Sequence, residues 1–400
     1  MKITPRSSRF VGLLAFAWVL FPFSSMAQPQ FSVVEIEAPA GIDLNAGGIN
    51  DLGQIAGSFR GTSSSVIGNR IFRPFVWLPE AAAGFPAGFH NLGALGEGRG
   101  TVTGLNGSLE MSGWGETTKF DQNGFQVSQG FRWQNGAFEI VGNIASGYSH
   151  SQALGINAAG EMVALERNVF GCLPMIWLPK PAYGFPAGLS ALPPAAGFFE
   201  AAAVGINDQG QVVGYSTNAC DTTSSHATLW LPEPAYGLPA GTHDLTPDIP
   251  VTGGFEAQKI NNNGVVIGDF YGEFPVIIGA WRWSNGSLDI LEPLVPDTNF
   301  VFPGGLNDHG AIVGSSGSRA VLWKEDEVYA LDDLIPADSG WVLQAASDIN
   351  NQGQIVGEGI FNGENATFRL DPLPMPDGFE PSDPGSLKPV LGTSLREGLR

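Results

Sequence analysis

Apolar and polar positions in this 400-residue chain alternate in short bursts, and no repeated stretch carries the three-to-four spacing of a helix. One burst recurs seven times. Its cleanest copies are Gly205-Ile206-Asn207-Asp208-Gln209-Gly210-Gln211-Val212-Val213-Gly214 and Asp348-Ile349-Asn350-Asn351-Gln352-Gly353-Gln354-Ile355-Val356-Gly357. The others centre on Asn50, Asn106, Asn157, Asn261 and Asn307, with successive asparagines 56, 51, 50, 54, 46 and 43 residues apart. Asn at the first turn position and Gly three residues on predict a type I turn closed by a positive-φ glycine bulge. The apolar arms are then two hairpin strands, a and b. In the second copy Leu109 stands where the glycine belongs, so a different turn is expected there.

A third burst, strand c, follows each hairpin and ends on tryptophan in six copies: Trp77, Trp133, Trp177, Trp230, Trp283 and Trp323. A fourth, strand d, follows six of the seven, as in Leu288-Asp289-Ile290-Leu291. Four short strands per repeat match a propeller blade, whereas solenoid coils are shorter and helical repeats need a helix period. The seventh repeat stops after strand c, and Asp371-Pro372-Leu373-Pro374 cannot continue a central strand. The unpaired segment Phe31 to Glu37 stands where a strand d would stand. The predicted fold is therefore all-β, a seven-bladed β-propeller of seven four-stranded repeats, spanning 28–375, whose N-terminal strand completes the last blade and removes two open edges.

Composition sharpens this picture. With 55 glycines and 29 prolines, the chain is punctuated for turns, not long helices. Residues 1–27 read as a secretory leader: Lys2, Arg6 and Arg9, an apolar stretch from Phe10 to Phe23, then Ser25-Met26-Ala27 before a cleavage site. The mature chain is expected to be secreted or periplasmic, without a membrane span, and monomeric. Residues 376–400 lack the repeat, are rich in Gly, Pro and Ser, and are expected to be disordered. The formal charge is −20, and −23 without the leader, which disfavours nucleic acid and anionic membranes.

The element Gly-Ile-Asn-x-x-Gly-Gln-x-x-Gly, followed by His226-Ala227-Thr228-Leu229-Trp230, resembles the HAF-type repeats of bacterial extracellular proteins. Ser339-Gly340-Trp341-Val342-Leu343 leading into Asp348-Ile349-Asn350 is also similar. The resemblance covers nearly the whole mature chain. It implies export and β-repeat architecture, and it assigns no activity, cofactor or site residue.

No phosphate loop, nucleophile elbow, metal-spaced histidines or sialidase-type box is present, so no catalytic residue, cofactor or metal is expected. An asparagine repeated in every copy is expected to build turns, and the repeated tryptophans to pack between blades. Three c–d loops share a Gly-x-Pro-Ala-Gly motif and should emerge on one face, from blades one, three and four. Their Phe85, Tyr183, Phe185 and Tyr236 offer a glycan- or protein-binding surface, against the competing reading of self-packed hairpins covering the blade edge. The default ligand site is the channel mouth on the opposite face, near His150, Gln152, Glu200, Glu256, Gln258 and Gln344. A non-catalytic binding or scaffold module, with a glycan or extracellular protein as partner, is the first reading. An extracellular polysaccharide hydrolase or lyase using Glu200 and Glu256 is the second, and a purely structural exterior particle the third. The only cysteines, Cys172 and Cys220, fall at similar points of neighbouring repeats, in expected b–c loops, and a disulfide is expected between them.

Overall fold

The computed structural model describes residues 30–62, 70–96, 98–121, 123–142, 150–168, 171–218, 224–246, 253–272 and 277–374. The expected leader and tail lie outside these residues. Seven four-stranded antiparallel sheets form a ring, a seven-bladed β-propeller. Blades one to six each use four consecutive strands, a to d. Blade seven is built from Trp341–Ile349, Ile355–Phe361 and Glu364–Pro372, and its fourth strand is the N-terminal Phe31–Glu35. That strand runs antiparallel to Glu364–Pro372, with Val33 opposite Leu370 and Glu35 opposite Phe368. The ring closes as the chain ends predicted.

Six a–b hairpins have the turn their sequence demands. In blade four the Gly210 amide donates to the Asn207 carbonyl at 3.1 Å, and Gly210 has φ +72°. The Asn207 side-chain oxygen accepts from the amides of Gln209 and Gln211 at 3.2 and 3.0 Å. The second copy keeps this turn against expectation. Leu109 takes φ +58° and its amide donates to the Asn106 carbonyl at 3.2 Å. Burial of Leu109 beside Met111, Phe131 and Trp133 offsets the cost of a positive φ at a residue with a Cβ.

The repeated asparagine does more than turn the chain. Each side-chain amide donates to the backbone carbonyl of the equivalent asparagine in the next blade. The chain of bonds runs Asn50 to Asn106, Asn157, Asn207, Asn261, Asn307 and Asn350, at 2.9–3.1 Å. It closes from Asn350 back to Asn50 at 2.8 Å. All seven asparagines are buried. The ring is a structural belt, which explains why the residue recurs in every copy.

The c-strand tryptophans pack between blades, five of the six by two devices. Where the preceding blade has the long c–d loop, loop aromatics cover the ring: Phe85 on Trp133, Tyr183 and Phe185 on Trp230, Tyr236 on Trp283, with centroids 5.7–6.3 Å apart. Two blades without that loop supply an arginine from strand c instead: Arg132 lies over Trp177 at 5.6 Å and Arg369 over Trp77 at 5.3 Å. The long loops do share a face. Tyr183 and Tyr236 each reach back to the a–b turn of their own blade, their hydroxyls donating to Glu161 at 2.9 Å and to Gln211 at 2.8 Å. Phe85, Tyr183, Phe185 and Tyr236 are thus only partly exposed.

Cys172 is the second residue of strand c of blade three, opposite Arg167, and not in a b–c loop. It is buried and disulfide-bonded. Cys220 lies outside the described residues. Titration of the denatured, unreduced protein is expected to find no free thiol; two would exclude the expected bridge.

Candidate functional site

Strand a of every blade carries a bulge at the same place, two residues before the apolar residue that precedes the ring asparagine, and blade seven carries a second one at Gln344. A bulge inserts one residue and re-aims the side chains around it. The inserted residues Gly47, Thr103, Leu154, Val204, Gln258 and Gly304 all line an axial cavity of about 610 Å³. The next position is glycine in five blades because strands a converge there. A Cβ on Gly205 would stand 2.9 Å from the Gln258 carbonyl oxygen of the following blade.

Two blades break the rule. Lys259 and Asp348 occupy the glycine position of blades five and seven, and both line the cavity. They are admitted where the following blade has glycine at its own bulge, Gly304 and Gly47. The Lys259 ammonium reaches across blade six to donate to Asp348 at 2.6 Å. The second Asp348 oxygen accepts from the Ile49 amide of blade one at 3.1 Å. The pair therefore ties three blades together inside the channel.

Beside it stands Asp269, also in the cavity wall. It accepts from the Gln258 side-chain amide at 3.2 Å and from the Tyr271 hydroxyl at 3.0 Å. Burial pushes its carboxyl above the usual range, against those two bonds. Glu256 lies directly opposite Asp269 in the strand register and is bonded by the Ser225 hydroxyl at 3.4 Å. Burial, then the Asp269 charge, pushes Glu256 up to about 7. Burial and the Glu256 charge push Tyr215 to about 12. At the other end of the cavity a collar of Asp51, Asp208, Asp308, Asn262 and Asn351 is held by its own hydrogen bonds. Asn262, for example, bridges Asp208 and Asp308 at 2.9 and 3.2 Å.

Glu256 fixes a pH dependence. Folding favours its protonated form, so its contribution is fully present below about 4.5 and is lost as pH rises through about 7. The loss is on the order of 3 kcal/mol, and Asp269 adds to it in the same direction. Urea melts at pH 4.5, 6 and 7.5 are expected to show this fall, and Glu256→Gln to flatten most of it. Stability that rises over this window because of Glu256 would reverse the sign.

Of the six residues expected at the mouth, Gln258 alone lines the cavity. Glu256 sits behind Asp269. His150 is drawn to the blade two–three boundary, where its Nδ1 meets the Ser128 hydroxyl at 3.2 Å and its Nε2 lies 3.7 Å from Asp121. Glu200 starts strand a of blade four beside Gly171. Gln152 and Gln344 are half-buried in strands a of blades three and seven, away from the cavity wall. Lys259, Asp348 and Asp269 are cavity residues that sequence reasoning misses, although Lys-Ile-Asn and Asp-Ile-Asn in place of Gly-Ile-Asn mark the first two. Among the described residues no group of histidine, cysteine or acidic side chains is arranged to hold a metal ion. No helix there is long and apolar enough to cross a membrane.

No known protein family and no curated protein matches the chain by sequence. Solved propellers resemble it at the level of fold. The β-propeller domain of the Trilobed protease from Pyrococcus furiosus is 8% identical, with 82% of this chain and 92% of that one covered at a TM-score of 0.48. The Dos1 propeller is 9% identical, over 86% and 95%, at 0.45. The polysaccharide lyase Uly1 is 10% identical, over 84% and 91%, at 0.44. These likenesses assign no activity; what the chain is similar to is a set of propellers.

Proposed function

We propose that this is an exported, monomeric, non-catalytic binding module, which takes a small ligand rich in hydroxyl or amide groups in the axial channel beside blades five to seven. One observation carries the reading: the sevenfold repeat is broken inside the cavity, where Lys259 and Asp348 replace glycine. A ring that only had to stack would keep the glycine. Gln258, Lys259, Asp269 and Asp348 supply donors and acceptors to a cavity of about 610 Å³, a size that suits small-molecule sites.

The raised carboxyls of Glu256 and Asp269 favour a second reading, an extracellular polysaccharide hydrolase or lyase. It ranks second because only Asp269 of the pair is in the cavity wall, whereas glycoside hydrolysis asks two carboxyls to flank the scissile bond. The test is a thermal-shift and calorimetric screen of sugars, polyols and amino acids against the mature protein and a Lys259→Ala/Asp348→Ala double variant. A ligand class that raises the melting temperature and binds at least about tenfold weaker to the variant is expected. No hit, or equal binding by the variant, would overturn the reading. Polysaccharide turnover abolished by Asp269→Asn would replace it with the second.

A further inference from the structure

The structure points to a more specific occupant, and this step rests on the channel-binding reading above: we infer that the ligand is the end of a neutral glycan, stacked on Phe302 with its hydroxyls turned toward Asp269 and Gln258.

Neighbouring blades meet at fixed positions of the repeat. The residue five before each ring asparagine lies opposite the residue eight after it in the a–b register: Asn45 with Ser58, Glu256 with Asp269, Phe302 with Ser315, Ala345 with Glu358. Across the blade boundary, the first of these positions meets the second position of the preceding blade. Asn45 of blade one donates to Glu358 of blade seven at 2.7 Å. Glu256 of blade five acts electrostatically on Tyr215 of blade four in the same way. At the boundary of blades five and six the corresponding residues are Asp269 and Phe302. By the same register, Phe302 is the blade-six position that meets Asp269 of blade five.

Phe302 is singular in three respects. The other six blades carry no aromatic residue at this position. Its side chain is 39% exposed, although Val301 before it is buried and Pro303 after it lines the cavity. Phe300, 46% exposed, adds a second exposed ring on the same strand entry. An apolar ring left in water next to a hydrogen-bonding carboxylate is otherwise unexplained by blade packing.

The chemistry of the pair is selective. A pyranose presents an apolar C–H face and a rim of hydroxyls. Phe302 offers a flat apolar surface at low entropic cost. Asp269 accepts from hydroxyls, the Gln258 amide both donates and accepts, and the Lys259 ammonium keeps N–H donors beyond its bond to Asp348. Charge excludes the acidic sugars. The chain carries a formal charge of −20, and Asp269 and Asp348 both line the channel, with Glu256 behind Asp269. Among the residues lining the cavity the cation is Lys259, and it is already paired with Asp348. A uronate or sulfated glycan would meet net repulsion, and a neutral hexose-type glycan would not.

The experiment uses the mature protein on an array of neutral, uronate-containing and sulfated glycans, followed by calorimetry with the best neutral oligosaccharide. Wild type, Phe302→Ala, Phe302→Trp and Asp269→Asn are compared, with melting temperatures as a folding control. Neutral glycans are expected to bind. Phe302→Ala should weaken binding about tenfold without unfolding the protein, since the side chain is exposed, and Phe302→Trp should retain it. Unchanged binding by Phe302→Ala, or a preference for acidic glycans, overturns the inference. Hits confined to non-sugar ligands in the screen of the preceding section overturn it too, while leaving the channel-binding reading intact. Silence in both experiments removes both.

Discussion

Replacing Asn207 by alanine is expected to lower the unfolding free energy by about 3–5 kcal/mol, a large effect for one polar side chain. The side chain satisfies the amides of Gln209 and Gln211 and donates to the Asn261 carbonyl of the next blade and to Gln211 Oε1. Alanine leaves several of these groups buried without partners, and each costs about 1–3 kcal/mol. Asn207→Asp separates the two roles. It keeps the acceptor for the turn but loses both donors, and sets a carboxylate oxygen against the Asn261 carbonyl. It should be destabilising at pH 7 and partly relieved in acid. Gln209→Ala, an exposed neighbour in the same turn, is the control and should change stability by less than about 0.5 kcal/mol. Urea melts of the four proteins decide it. A loss below about 1 kcal/mol for Asn207→Ala would show that the belt adds little beyond the turns.

Much of this fold is legible in the chain because its causes are local. Asn207 and Gly210 write their own turn. The missing strand after Leu370 and the spare strand at Phe31 complete one another on the pattern of repeats alone. The turn at Leu109 departs from its local expectation because its positive φ is sustained by burial among residues of other strands, which a local rule does not see. Tyr183 and Tyr236 admit two readings for the same reason: their partners Glu161 and Gln211 are set by how hairpins fold back on the ring. The site is half legible. The departures at Lys259 and Asp348 are visible when the seven repeats are aligned with one another. Which side chains face the axis depends on the bulge, since one inserted residue exchanges the two faces of a strand. Gln258 is inserted at the bulge next to the ring turn and reaches the cavity, whereas Gln152 and Gln344 stand farther from their ring asparagines and stay outside its wall. Phe302 stands out only when the repeats are aligned, as the one aromatic at its position, and Asp269 carries no such mark.

Deleting residues 28–38 is expected to cost more than any single substitution. The N-terminal strand supplies the outer edge of blade seven and bonds beyond its own ladder. The Gln30 amide donates to Leu334, the Leu373 amide to Gln30, and the Ile36 amide to Thr367, each at 2.8 Å. Phe31 and Ile36 are buried, Phe31 in a cluster with Leu331, Leu334, Trp341 and Phe368. Burying two such side chains is worth about 2 kcal/mol each, and the lost hydrogen bonds add about 1 kcal/mol apiece. The total, on the order of 5–10 kcal/mol, equals the whole stability of an ordinary domain. The truncated chain would also expose Glu364–Pro372 as an open edge, a template for intermolecular pairing. Loss of a cooperative melt, with aggregation, is therefore expected. Phe31→Ala is the graded version: it keeps the strand and should cost about 3 kcal/mol, lowering the melting temperature without opening the ring. Calorimetry and light scattering on the two variants separate these effects. A truncated protein that stays soluble and melts within a few degrees of the wild type would show that the ring holds without its clasp, and that the belt from Asn350 to Asn50 closes it alone.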